Sequence, residues 1–179
     1  MIPDHLLKES VNKLLEVVKK SIQEELEAQG HRATGKLIDT VEIRLTKTPD
    51  GYRGGIYVQD YAVILDKGVR PDRVPYSPGS GAKTSLYIEA LKEWTKIIKP
   101  GLGERERTSF AFAIAANAKK QGHPTQGSYE YSRNGRRKEW AKFAIDGKVN
   151  QFAEMMDVGN FVATLISNFV TEYSKLVVS

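Results

Sequence analysis

Ala33-Thr34-Gly35-Lys36-Leu37-Ile38-Asp39-Thr40-Val41-Glu42-Ile43-Arg44-Leu45 opens the stretch that decides the fold. After the turn Thr48-Pro49-Asp50-Gly51 it continues Tyr52-Arg53-Gly54-Gly55-Ile56-Tyr57-Val58, then Tyr61-Ala62-Val63-Ile64-Leu65-Asp66-Lys67-Gly68-Val69-Arg70-Pro71. Val41, Ile43 and Leu45 alternate with Glu42 and Arg44, the period of a half-buried strand from Thr40 to Leu45. Proline presets one turn dihedral and glycine accepts a positive one, so Thr48–Gly51 reads as the turn of an antiparallel hairpin. Tyr52–Val58 is the return strand. Gly54-Gly55 within it marks a bulge or a close backbone approach. The apolar run Tyr61–Leu65 reads as a third strand or a helical turn, with the strand favoured, closed by the turn around Asp66 and Gly68.

Helical patterns lie on both sides of this centre. Residues 3–29 place Leu7, Val11, Leu14, Val18, Ile22 and Leu26 on one stripe, and Gly30 suits a left-handed C-terminal cap. Residues 67–86 carry Pro71, Pro75, Pro78, Gly79 and Gly81 and read as a long loop, expected to be mobile in an isolated subunit. Leu86–Lys99 and Glu104–Gln121 read as helices, the second rich in alanine for close packing, with Gly122 and Pro124 ending it. Trp140, Phe143 and Ile145 are apolar enough to dock on the rest. A final amphipathic helix is expected from about Val149 to Val177, with Phe161, Leu165, Phe169, Tyr173 and Leu176 as its stripe. The expected class is α+β: a small antiparallel sheet packed by a long N-terminal helix and further helices. A first domain is expected over residues 1–124, and a basic loop with a C-terminal helical extension over 125–179.

The 179 residues are 40% hydrophobic and 27% charged, an ordinary globular balance with a net charge of +5. No window approaches the roughly 18 uninterrupted apolar residues of a membrane span, and the N-terminus lacks a signal-peptide pattern. Cysteine is absent, which excludes disulfides, thiolate metal sites and a cysteine nucleophile. His5, His31 and His123 are scattered, without companions at ligand spacing. No nucleophile elbow surrounds any serine. Pro78–Thr84 resembles a phosphate-binding loop only superficially, since Ser77 and Ala82 stand where the motif needs glycines. Asp60 and Asp66 read as solvated or turn residues. The chain is therefore read as a non-enzyme without a cofactor or metal.

The strongest concentration of charge is Arg133, Arg136, Arg137 and Lys138, flanked by Tyr129, Tyr131 and Trp140 as stacking groups might be. A small basic nucleic-acid-binding protein using this cluster is the second reading of the chain. The other is that the cluster is a solvated basic loop or a contact to a protein partner, because no nucleic-acid module frames it.

The order of long helix, Thr34-Gly35-Lys36-Leu37 with a strand, return strand, Tyr61-Ala62-x-x-x-Asp66-x-Gly68, long loop, helix, and a helix ending in Gly122-x-Pro124 resembles the head–tail joining (neck, tail-completion or connector) proteins of tailed bacteriophages. The resemblance covers roughly residues 8–124. The chain departs from that pattern with Asp66 where glutamate is common, with Val69 after the glycine, and with the length of residues 125–179. The resemblance implies a structural virion protein and a ring of twelve or six copies linking the portal to the tail around the DNA channel. Its partners would be further copies, portal or other neck and tail proteins and the packaged DNA, with no membrane. Its place would be the virion neck, after assembly from the host cytoplasm. Tyr61, Asp66, Lys67, Gly68, Arg70, Arg73 and Tyr76 are the expected subunit-interface residues, together with the rest of the loop to Ser85 and the C-terminal helix.

Overall fold

A computed structural model describes residues 4–32, 35–79, 85–146 and 148. Helix α1 (Asp4–Ala28) buries Val11, Leu14, Ile22 and Leu26 of the expected stripe, half-buries its Leu7 and Val18, and also buries Leu15. It ends in a paired turn: the N–H of Gly30 bonds to the carbonyl of Glu27 and that of His31 to Leu26, with Gly30 in the left-handed conformation. A short helix α2 (Lys36–Asp39) drops Leu37 into the core. Strands β1 (Glu42–Thr48) and β2 (Gly51–Tyr57) follow, paired antiparallel from Glu42↔Tyr57 to Thr48↔Gly51. The register is continuous, so the Gly54-Gly55 pair makes no bulge. It serves close approach instead, because a Cβ on Gly54 would sit 2.5 Å from Cδ1 of Leu15 on α1.

Tyr61–Leu65 is not a strand. Helix α3 (Tyr61–Lys67) occupies it and ends at Gly68. A strand would bury alternate residues, whereas this segment buries Ala62 and Asp66 and half-buries Leu65, the i, i+3, i+4 face of a helix. The β-branched Val63 and Ile64 favour a strand locally, and the tertiary demand on Ala62 and Asp66 overrides that preference. Pro71–Arg73 forms a single 3-10 turn, the only helical turn among the described residues between Lys67 and Ser85. Helices α4 (Leu86–Ile98) and α5 (Glu104–Gln121) pack on each other as a hairpin. A second 3-10 segment, Gln126–Tyr131, leads to helix α6 (Trp140–Asp146).

The fold is thus α+β, with the sheet reduced to one hairpin. Among the described residues, two clusters of its buried apolar side chains matter here. The larger joins Ile22 and Leu26 of α1, Leu37, Val41, Ala62 and Trp140, Ala141 and Ala144 of α6. The smaller joins Ile88, Ala111 and Ala115, with Tyr76, Tyr87 and Leu91 packed against it. We call the first the body and the second, residues 70–121, the arm. The boundary expected at residue 124 falls near the arm's exit, but α6 returns to pack along α1 in the body. The expected helix from Val149 lies outside the described residues.

Candidate functional site: the joint and cleft between body and arm

The chain enters the arm through Gly68-Val69 and leaves it through Gly122-His123. These two points, far apart in sequence, are bonded to each other. The N–H of Val69 donates to the carbonyl of His123 at 2.8 Å, and the N–H of His123 donates to the carbonyl of Val69 at 2.8 Å. Gly68 (φ 77°, ψ −178°) and Gly122 (φ 82°, ψ −171°) both hold a conformation that is essentially restricted to glycine. A Cβ at Gly68 would lie 2.4 Å from the carbonyl oxygen of His123, and one at Gly122 would lie 2.4 Å from that of Val69. The two glycines that end α3 and α5 are therefore opposite sides of one clasp.

The same short helix α3 holds α6. The indole N–H of Trp140, 2% exposed, donates to the carbonyl of Ala62 at 3.0 Å. Asp66, also 2% exposed, accepts the N–H of Ala141 on its carboxylate at 3.0 Å, and its backbone carbonyl accepts the N–H of Glu139. This satisfies first-turn amides of α6 that have no partner within their own helix. Asp66 is thus neither a solvated turn residue nor open to another chain; Lys67 Nζ lies 3.7 Å from its second oxygen. The Tyr-Ala-x-x-x-Asp-x-Gly motif is the joint of three chain segments.

Of the other expected interface residues, Tyr61 is 43% exposed and Arg70 lies at the surface, with its Nε 3.1 Å from Asp72 Oδ1. Arg73 is exposed at the end of its 3-10 turn. Tyr76 packs obliquely on Phe112, ring centroids 6.3 Å apart. The described half of the loop is held to the arm: Val74 is buried, and its carbonyl accepts from Lys119 Nζ. Residues 80–84 lie outside the described residues, and with them most of the loop that resembles a phosphate-binding turn.

The basic cluster has an internal task. Helix α1 has no basic residue in its last turn, and its final carbonyls need donors. Arg133 supplies its backbone N–H to the carbonyl of Ala28, and Arg137 supplies Nη1 to that of Gln29. Arg136 forks onto Glu25, Nε to Oε1 and Nη2 to Oε2, both 3.2 Å, and lies over the ring of Phe143 at 4.1 Å. Asn134 bonds to the same carboxylate, and Arg133 Nη2 lies 3.4 Å from Glu27. Lys138 is exposed, and its backbone carbonyl accepts from Gln29 Nε2 at 3.0 Å. The segment that reads as free positive charge is wound around the C-terminal end of α1.

Between body and arm lies a cleft of about 480 Å³. Ile64 and Leu65 of α3 form one wall, and Leu91, Trp94, Phe110 and Ile114 of the arm form the other. His31, His123, Tyr131 and Arg137 are among its polar lining residues. The histidines that look scattered in sequence thus meet here in part: His31 and His123 line one cleft, while His5 sits exposed near the far end of α1. His123 Nε2 is 2.6 Å from the hydroxyl of Tyr87. Burial lowers the pKa of His123. Burial, with the neighbouring Arg137 charge, lowers His31 from 6.5 to about 4, against the opposing pull of a hydrogen bond to the Arg137 backbone. Nε2 of His31 and Nε of Arg137 are buried without a hydrogen-bond partner among the described residues. Sequence reasoning did not find this cleft; the only signal for it was the number of apolar positions on Leu86–Lys99 beyond what one partner helix covers.

Among the described residues no group of three or more His, Asp or Glu is placed to hold a metal ion. No helix among them is long and apolar enough to cross a membrane. In comparisons with known proteins, no family model matches the chain, and neither a curated protein nor a solved structure does.

Proposed function

We propose that the chain is a structural subunit of a tailed-phage neck, assembling as a closed ring between portal and tail through which DNA passes. The reading starts from the resemblance in residues 8–124. One structural observation supports it most: the sheet is a lone hairpin of two seven-residue strands, and neither outer edge has a strand partner among the described residues. Unpaired edges are templates for pairing with another chain, and a lone hairpin is a marginal structure without further cover. Here α1 covers one face, and the other presents Glu42, Arg44, Arg53 and Tyr57. A heterologous contact made through such an edge gives a ring when its rotation closes.

The joint adds a physical sense to the resemblance. Ala62, Asp66, Gly68 and Gly122 have structural duties in this chain, as motif residues of a non-catalytic protein would. Contacts between copies then fall to exposed groups such as Tyr61, Arg70 and Arg73, while Asp66 and Gly68 shape the surface from beneath. The test is the mass of the purified full-length protein by light scattering, alone and with a portal complex, followed by negative-stain imaging. Closed rings of one size are expected. A protein that stays monomeric and joins no particle overturns the proposal.

A further inference from the structure

Three described arginines are partly buried: Arg107, Arg136 and Arg137. Arg107 lies 3.9 Å from Glu104, and Arg136 forks onto Glu25. Arg137 has no carboxylate in salt-bridge reach among the described residues. Its Nη1 donates to the carbonyl of Gln29, and its Nε is buried without a partner. Arg137 also lines the cleft between body and arm, beside walls that are apolar on both sides. We propose that this cleft binds a small amphipathic carboxylate, with the charged head on Arg137 and an aliphatic or aromatic body between α3 and the arm. The site goes beyond assembly, since all its residues come from one copy.

The first argument is charge. Burial lowers the pKa of Arg137, the sign of a cation that has lost water without gaining an anion. A carboxylate brought to it restores the missing partner through charge-assisted hydrogen bonds. His31, beside it, is neutral near pH 7, so Arg137 is the one fixed positive charge among the lining residues. Glu130 is the one carboxylate among them. It is exposed to water and hydrogen-bonded to the hydroxyl of Tyr131, so it has no comparable need of a cationic ligand. The second argument is shape. At about 480 Å³ the cleft has the size of a small-molecule site, which is typically about 300–1,000 Å³ and mostly apolar with a few polar groups. The third is open apolar surface. Ile64 is 54% exposed and Trp94 on the opposite wall is only half-buried, so a hydrocarbon body laid between them removes both from water.

The probe is octanoate, titrated into the full-length protein near neutral pH and followed by calorimetry and by amide chemical shifts. Octanamide supplies the same body with a neutral head, and acetate supplies the head without the body. Octanoate should occupy one site per chain, with shifts centred on Ile64, Leu65, Trp94 and Arg137. It should bind about tenfold or more tighter than octanamide, the worth of a hydrogen bond to a charged group. Acetate at the same concentration should not displace it. Arg137→Gln should remove the preference for the acid and leave octanamide binding unchanged. Arg137 also supplies a donor to the end of α1, so a second variant keeps the test independent of that contact. Ile64→Glu, at an exposed position on the cleft wall, should keep the melting temperature and weaken octanoate by about tenfold through its like charge. Absence of octanoate binding overturns the proposal, as does equal affinity for octanamide, displacement by acetate, or unchanged binding in folded Ile64→Glu. Cleft shifts that move with protein concentration alone would give the cleft to a second copy and overturn it too.

Discussion

The body and the arm hold together by different means. The body's largest buried side chains come from distant parts of the chain: Ile22 and Leu26 from α1 and Trp140 from α6, with α3 hydrogen-bonded to the start of α6. The arm is a local helical hairpin with a thin core, in which Ala111 and Ala115 let α5 lie close to Ile88 on α4. One region therefore depends on long-range closure and buries large residues, while the other depends on neighbouring helices and small residues. The lesson is that they should open separately. The arm is joined to the body through the Gly68–Gly122 clasp and is expected to exchange its amides at a lower free energy than the body.

Trp140→Ala should break the comparison on the body's side. Truncating a tryptophan buried among these groups costs about 4 kcal/mol, and it also removes the donor to the Ala62 carbonyl. Denaturant unfolding should show a large fall in the midpoint for the whole protein. If only α6 amides lose protection while the midpoint stays in place, α6 is an accessory and the body is smaller than described.

Gly68→Ala or Gly122→Ala should strike the connection instead. Each places a side chain in a glycine-only conformation and against a carbonyl oxygen, for an expected cost of about 3 kcal/mol. Hydrogen exchange should accelerate over α4 and α5 more than over the middle of α1. An equal loss in both regions would mean that body and arm form one cooperative unit; no loss would refute the clasp.

Acid should weaken the face of the body that lines the cleft. His31 binds a proton in the unfolded chain near pH 6.5 but in the folded protein only near pH 4, so the unfolded state gains protons first as pH falls. Stability should decline between those values, by up to about 3 kcal/mol from this residue, and the loss should level off below them. His123 acts in the same direction. Comparing urea midpoints across this range for the natural protein and His31→Gln isolates the first contribution. An unchanged slope in the variant would refute it.

The smallest expected effect tests the basic segment. Arg136→Ala with Arg137→Ala removes the fork on Glu25 and a donor to the end of α1, for about 2 kcal/mol. Binding to duplex DNA at physiological salt should be weak before and after. Sub-micromolar binding with a steep salt slope, lost in the double variant while its fold is kept, would restore the nucleic-acid reading.

The sequence by itself determined the elements whose signals are local. The stripe of α1, the Pro-Asp-Gly hairpin turn, the alanine-rich α5 and its glycine stop are each written within one window of residues, because helical and strand periodicities and turn dihedrals are properties of neighbours. What only the tertiary structure decided depends on partners far along the chain. Tyr61–Leu65 became a helix because Ala62 and Asp66 must meet α6. Asp66 was buried because the first turn of α6 lacked an acceptor. Residues 133–137 spent their charge and donors on the end of α1, because a helix terminus accepts what any part of the chain brings to it. The cleft followed last, since a space between two packed units belongs to neither unit's sequence.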